Sequence, residues 1–250
     1  MRSVGGGIKT HPTPPTERIS RPDRVVELVM RLNKPLRIAA LATGFTLATL
    51  AASTASAQDW QVARKGDWIV TGRITDVAPA ADDAITTAAG GATGLHVDVS
   101  DDVMPTLGFT YFLTDNISVE AILGATQHTV RAQGGATDVA VHETWVLPPV
   151  VTLQYRPAPE ARVSPYVGAG VNYMLFFNGE DRNGFEVELD DGFGCALQAG
   201  ADVAISGPWT ANLDVKKVWF NTDASINGGA LKSDVNLDPW VVSIGIGRKF

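Results

Sequence analysis

The sequence predicts an all-β fold: an eight-stranded antiparallel transmembrane β-barrel with short periplasmic turns and long outer loops. Three observations carry this reading. The final stretch alternates as an extended strand, with Trp240, Val242, Ile244, Ile246 and Phe250 on one face and Ser243, Gly245, Gly247 and Lys249 on the other. An apolar band of about ten residues with aromatics at both ends is one membrane crossing by a strand. The segments before it alternate between strand patterns and loop composition, with no helical periodicity of useful length. An export signal precedes the first strand. An unpaired strand edge is not tolerated in lipid, so the last strand must pair with the first and close a barrel. The last strand alone would also suit the edge of a soluble sandwich, and a lipocalin-like barrel is the soluble counterpart of the whole pattern. Signal, strand count and loop alternation together favour the membrane.

Residues 30–57 carry the features of a secretory signal. Arg31, Lys34 and Arg37 make the positive start, Ile38 to Ala52 the apolar middle, and Ala55-Ser56-Ala57 the small-residue cleavage site. The segment is short for a transmembrane helix and carries several Thr and Ser. Cleavage after Ala57 leaves 250 − 57 = 193 residues. Met30 stands directly before Arg31, so residues 1–29 are expected to be a mis-assigned start, the alternative being a disordered Pro- and Arg-rich extension. Residues 58–250 then form the barrel. The formal net charge of −7 and the lack of a basic stripe argue against a nucleic-acid partner. The single cysteine, Cys195, cannot form an internal disulfide, and a membrane barrel needs none.

The strands follow in order. The first is expected from Trp68 to Val77, and a polar loop with Asp82-Asp83 and Gly90-Gly91 follows it. The second ends in Thr106–Leu113, and Thr114-Asp115-Asn116 is a tight turn by composition. The third runs from Ile117 to His128, a glycine-rich loop spans 131–143, and the fourth runs from Thr144 to Arg156. A short connection leads to Pro165–Phe177, and a third long loop holds Glu180, Asp181, Glu186, Glu188, Asp190 and Asp191. Phe193–Ile205, the turn Ser206-Gly207-Pro208 and Trp209–Phe220 make another pair, and a fourth loop from Asn221 to Leu237 precedes the closing strand. Eight strands with alternating short and long connections place both ends of the barrel on the periplasmic side.

Four stretches resemble the OmpW family of outer-membrane proteins: Thr110–Asn116, Leu147-Pro148-Pro149, Pro165–Tyr173 and Leu237-Asp238-Pro239-Trp240. The resemblance covers essentially the whole chain after the signal. It implies an eight-stranded barrel with a hydrophobic interior channel that admits small hydrophobic molecules. It also implies outer-membrane lipid and the barrel-assembly machinery as partners, and a Gram-negative outer membrane as location. One departure is Arg248, where the family usually carries a tyrosine. Phe250 still supplies the terminal aromatic as an assembly signal.

With apolar residues turned to lipid, the inward faces split by depth. Arg73, Glu120, Gln154, Arg156, Gln198, Asp202, Asn212, Asp214 and Lys216 lie toward the periplasmic half. So many charges survive inside a small barrel only by pairing with one another, and eight strands enclose a space just wide enough for side chains. The lower half is therefore expected to be a polar plug. Toward the outer mouth the inward residues Val146, Pro148, Met174, Phe176, Val218 and Phe220 are apolar, a funnel for an apolar ligand or packing beneath folded loops. Pro148-Pro149 must interrupt strand pairing, either as a plain strand end or as a lateral gate into the membrane.

Catalysis, metal and cofactor binding find little support. His96, His128 and His142 sit in no nucleophile or metal motif, and Ser118 and His128 share a face but stand too far apart for direct contact. Acidic runs such as Asp98, Asp101, Asp102 and Asp190, Asp191 read as solvated faces. The expected function is passive uptake of small hydrophobic molecules. The competing classes are a structural or interaction barrel and, last, a lipid hydrolase or acyltransferase.

Overall fold

The computed structural model describes residues 60–250, so the expectations for residues 1–57 lie outside the described residues. The strand segments are β1 (Trp68–Ala78), β2 (Ala84–Thr87), β3 (Ala92–Val99), β4 (Asp102–Phe112) and β5 (Ile117–Leu123). Then come β6 (Thr126–Gly134), β7 (Thr137–Leu147), β8 (Val150–Tyr155), β9 (Val163–Asp181) and β10 (Val187–Leu189). The chain finishes with β11 (Gly192–Ser206), β12 (Trp209–Trp219), β13 (Asn221–Ile226), β14 (Leu231–Asn236) and β15 (Trp240–Lys249).

Eight of these segments close an antiparallel ring in the order β1, β4, β5, β8, β9, β11, β12, β15. The closing ladder pairs β15 with β1 from Ile69↔Lys249 to Ala78↔Trp240, as lipid demands of an edge strand. Outward positions carry exposed Leu107, Leu153, Val171 and Ile244, the last 60% exposed. Aromatic belts bound this band. Trp68 and Tyr111 pack with centroids 4.9 Å apart at the periplasmic end, and Tyr173 with Phe193 at 4.5 Å near the other. On β12 the belt residues Trp209 and Trp219 stand ten residues apart. At about 3.4 Å per residue and a tilt near 45°, that is about 24 Å of membrane.

The periplasmic turns are short, as expected. Leu113 and Thr114 N–H groups donate to the Ile117 carbonyl at 2.9 and 3.0 Å, and Gly207 takes the positive φ of 51° that its turn requires. The outer side differs from the expectation. The long loops are themselves hairpins, which form a second sheet in the order β10-β13-β14-β2-β3-β6-β7-β9. The glycine-rich stretch 131–143 is the β6–β7 hairpin, and Asn221–Leu237 holds β13 and β14. The third and fourth predicted strands are each broken in two, at Gly124-Ala125 and at Pro148-Pro149, where the wall passes from the barrel to this outer tier. The ends of the second sheet, β9 and β10, do not pair with each other. Carboxylates bridge that seam instead: Asp181 Oδ1 accepts the Val187 N–H at 3.0 Å, and Asp191 Oδ1 accepts the Phe176 N–H at 2.8 Å.

Two apolar clusters fill the space above the barrel's midpoint. Ile122, Val146, Val150, Met174, Val218 and Phe220 form the lower one, and Ile85, Val97, Val99, Val141, Ile226 and Val235 the one inside the tier.

Candidate functional site

The interior is polar below and apolar above. All nine inward polar residues read from the sequence are buried and joined in one network. Glu120 stands at its centre: one oxygen receives Arg73, and the other receives Gln198 Nε2 at 2.5 Å and Gln154 Nε2 at 3.1 Å, with Lys216 Nζ 3.3 Å away. Arg73 Nε donates to Asn212 Oδ1 at 2.8 Å, and Asn212 Nδ2 donates to Asp202 Oδ1 at 2.8 Å. Arg156 donates to Asp202 Oδ2 at 2.6 Å and to Gln154 Oε1 at 3.0 Å. Asp214 receives Lys216 on one oxygen and Gln198 on the other, the latter at 2.6 Å. The glycines opposite make room. A Cβ at Gly108 would come within 2.3 Å of the Arg73 guanidinium, so the arginine lies flat against bare backbone.

Three buried cations, Arg73, Arg156 and Lys216, face three buried carboxylates, Glu120, Asp202 and Asp214. Such a cluster is tolerable out of water because each charge has an opposite partner and each carboxylate oxygen a donor, while Arg73 Nη1 has no acceptor. Sequence reasoning missed Tyr166, whose hydroxyl donates to Asp214 Oδ2 at 2.8 Å and whose ring lies 4.5 Å beneath the Arg156 guanidinium. It also missed Ser118 and Thr152, which bond Gln154 and Gln198 at 3.0 and 2.6 Å.

Of the six residues expected to line the funnel, Val146, Pro148, Met174 and Phe176 line an apolar cavity of about 50 Å³ that reaches up into the tier. Val218 lines a lower cavity of about 40 Å³. Val77, Pro148, Met174 and Pro239 line both, so the two cavities are adjacent and share a wall. Phe220 borders neither; it is buried with its ring centroid 6.2 Å from that of Phe176.

Pro148 and Pro149 mark the break between β7 and β8, yet the ladder to β9 runs past them. Leu147 pairs with Leu175, Val150 with Asn172, and the Tyr173 N–H donates to the Pro149 carbonyl at 3.1 Å. The wall is interrupted two strands away. Pairing of β4 with β5 ends at Leu107↔Leu123, and β3 meets β6 from Val99↔Val130 onward. Between these ladders Met104 and Thr106 fill the space beside Gly124, where a Cβ would meet their side chains at 3.2 and 2.6 Å.

The closing strand brings Phe250 to the lipid face, 62% exposed, with its N–H donated to the Trp68 carbonyl at 2.8 Å. Arg248 points outward as well, its guanidinium 4.8 Å from the Phe250 ring and 5.9 Å from that of Trp209. A cation laid across aromatics at the interface takes the place of the tyrosine that the family pattern leads one to expect.

The histidines are separate. His128 Nδ1 lies 2.7 Å from the Ser100 carbonyl, His142 Nδ1 lies 2.9 Å from Asp181, and His96 Nε2 is 3.6 Å from Asp82. The N–H of Val187, and then His142, hold the Asp181 carboxyl below its ordinary range. Of the acidic runs, Asp98 receives Gln133, Asp102 caps the Gln127 N–H, Asp190 bonds Thr222 through its backbone and Asp191 caps the Phe176 N–H. Among the described residues no group of three His, Cys, Asp or Glu side chains is arranged to hold a metal.

The OmpW family model matches residues 64–250. The outer-membrane protein y4mB of Sinorhizobium fredii is 38% identical over 64% of this chain and 71% of its own. The dibenzothiophene metabolism operon protein PahQ of Pseudomonas aeruginosa is 34% identical over 63% of this chain and 76% of its own. The crystal structure of the outer membrane protein OprG from Pseudomonas aeruginosa superposes with a TM-score of 0.72 at 32% identity, covering 77% of this chain and 99% of that one.

Proposed function

The chain belongs to the OmpW family, an eight-stranded barrel in the outer membrane of a Gram-negative bacterium, and from that premise we propose that it is a passive channel for small hydrophobic molecules. The observation that carries this reading is the dry cavity lined by Val146, Pro148, Met174 and Phe176, set directly above a fully paired charged floor. An apolar molecule gains by leaving water for the upper space and gains nothing by entering the lower one. Straight descent is therefore opposed, and the exit is sideways. The interruption between β4 and β5–β6, filled by Met104 and Thr106, suits that exit better than the Pro148–Pro149 ladder, which stays bonded to β9. A relative from an operon of dibenzothiophene metabolism supports an apolar cargo. Assembly of the barrel through the terminal Phe250 and the barrel-assembly machinery belongs to the same reading.

One observation favours the structural alternative: about 50 Å³ is roughly a third of the ~150 Å³ that holds a benzene in a protein core. Transport thus requires the outer tier to open. Phe176→Asp places a carboxylate in the cavity while leaving the lipid face untouched. The variant should fold, judged by heat-modifiable migration, and lose partitioning of a fluorescent apolar probe into reconstituted barrels by at least about tenfold. Equal binding and uptake by variant and parent would leave the funnel as packing and the protein as a scaffold.

A further inference from the structure

Where the two halves of the interior meet, one side chain is out of balance. Asn172 is 1% exposed, and neither its Nδ2 nor its Oδ1 has a hydrogen-bond partner. A buried amide with both ends unmade is costly, and the polar network just below satisfies nearly all of its side-chain atoms, Arg73 Nη1 and Thr210 Oγ1 being the exceptions. Its place is built rather than accidental. Asn172 pairs in register with Gly194, and a Cβ at 194 would come within 2.3 Å of Asn172 Oδ1, so the glycine leaves the amide its room. The amide borders the lower cavity, about 40 Å³, together with Lys216 and the apolar Met104, Val150, Met174 and Val218.

We propose that Asn172 is the anchor of a binding site for a neutral, oxygen-bearing head on an otherwise apolar molecule: a ketone, aldehyde or hydroxyl group seated in the lower cavity, with the hydrocarbon body in the funnel above once the outer tier has opened. The inference deepens the channel reading and rests on it. Three features define the head. The amide offers one donor face and one acceptor face, which match a carbonyl or a hydroxyl. The volume, about 40 Å³, is enough for about three or four heavy atoms, since a single water needs roughly 10–15 Å³ on the same measure. The head is uncharged, because Lys216 is already held by Glu120 and Asp214 and the three cations of the floor are matched by three carboxylates. An added carboxylate would enter a balanced, water-poor cluster with no free counter-charge.

The test compares naphthalene, 2-naphthol and 2-naphthoate, binding to purified full-length protein in lipid vesicles, with protein-free vesicles subtracted. The parent should bind 2-naphthol about fivefold more tightly than naphthalene, the size expected of one neutral hydrogen bond in a dry site, and should reject 2-naphthoate. Asn172→Leu should erase the preference for 2-naphthol while holding or improving naphthalene. Should that variant fail to fold, side-chain amide NMR of the parent replaces it: the Asn172 NH₂ resonances should move with 2-naphthol and stay fixed with naphthalene. Equal binding of naphthalene and 2-naphthol, with a still Asn172 resonance, would overturn the anchor, leave a bound water as the partner of the amide, and keep the channel. Binding of neither compound would overturn anchor and channel together.

Discussion

Glu120→Gln should destabilise the barrel more than any comparable change on its surface. The carboxylate holds Arg73 on one oxygen and Gln154, Gln198 and Lys216 on the other. An amide keeps the shape but removes the charge, and whichever way it turns, its NH₂ faces donors. Arg73 retains Asn212, and Lys216 retains Asp214, so neither cation is stranded completely. Breaking a buried pair costs about 3–5 kcal/mol, and these residual partners put the expectation at the low end, about 3 kcal/mol. That is a factor of roughly 150 in the folding equilibrium at 1.36 kcal/mol per decade. Urea-dependent folding into lipid vesicles reads it. The exposed Arg64–Glu160 pair, 3.0 Å apart, is the control, and Glu160→Gln should not shift the transition measurably. Adding Lys216→Met to Glu120→Gln should recover part of the loss, because two cations then face two carboxylates. A loss below about 1 kcal/mol for Glu120→Gln, with no recovery in the double variant, would mean that water reaches Glu120 and the charged cluster inside the barrel is wet.

Three further outcomes are expected. Deleting Phe250 removes the aromatic at the lipid face and the N–H···O bond to Trp68, and should lower the heat-modifiable fraction recovered from outer membranes; undiminished assembly would refute its role. A carboxylate depressed in the folded form stabilises that form above the ordinary carboxylate range and stops doing so as pH falls through its lowered pKa. The Asp181 bridge across the tier seam should therefore open below about pH 4, read as lost hydrogen-exchange protection of the Val187 amide relative to amides of β12, and Asp181→Asn should remove that pH dependence. Thr106→Cys with Gly124→Cys, in a Cys195→Ala background, brings two Cβ atoms to about the 3.3 Å now separating Thr106 Cβ from a Cβ built at 124. If the sideways exit lies there, the oxidised pair should still load an apolar probe but release it to lipid several-fold more slowly, and reduction should restore the rate; unchanged release when oxidised would put the exit elsewhere.

The barrel and its charged floor were legible because lipid imposes two hard constraints on a strand. Side chains alternate with a period of two, and a charge on the outward face is intolerable, so Arg73, Glu120, Arg156 and Asp214 have one place to go. The same parity puts Tyr166 inside once Val167 is outside; it was missed because an aromatic beside a glycine-rich run reads as a belt residue. Asn172 was hidden in the same way, as a lone amide in an apolar strand, and nothing in a sequence says whether a buried amide is satisfied. Above the membrane the constraint lapses. Val130-Arg131-Ala132-Gln133 alternates, but Val139-Ala140-Val141 runs apolar through a bulge; water on one side tolerates anything and the runs are short, so the β6–β7 hairpin passes for a loop. The diproline is loud in the sequence, whereas the interruption of the wall is quiet. It sits where β4 outruns β5, past Leu107↔Leu123, and where Gly124 lets Met104 and Thr106 turn in. Which edges stay unpaired is decided by register, and register is set jointly by turn geometry and by which faces pack together across neighbouring hairpins. A proline announces a lost donor on its own strand; a strand left without a neighbour is visible only when both strands are in place.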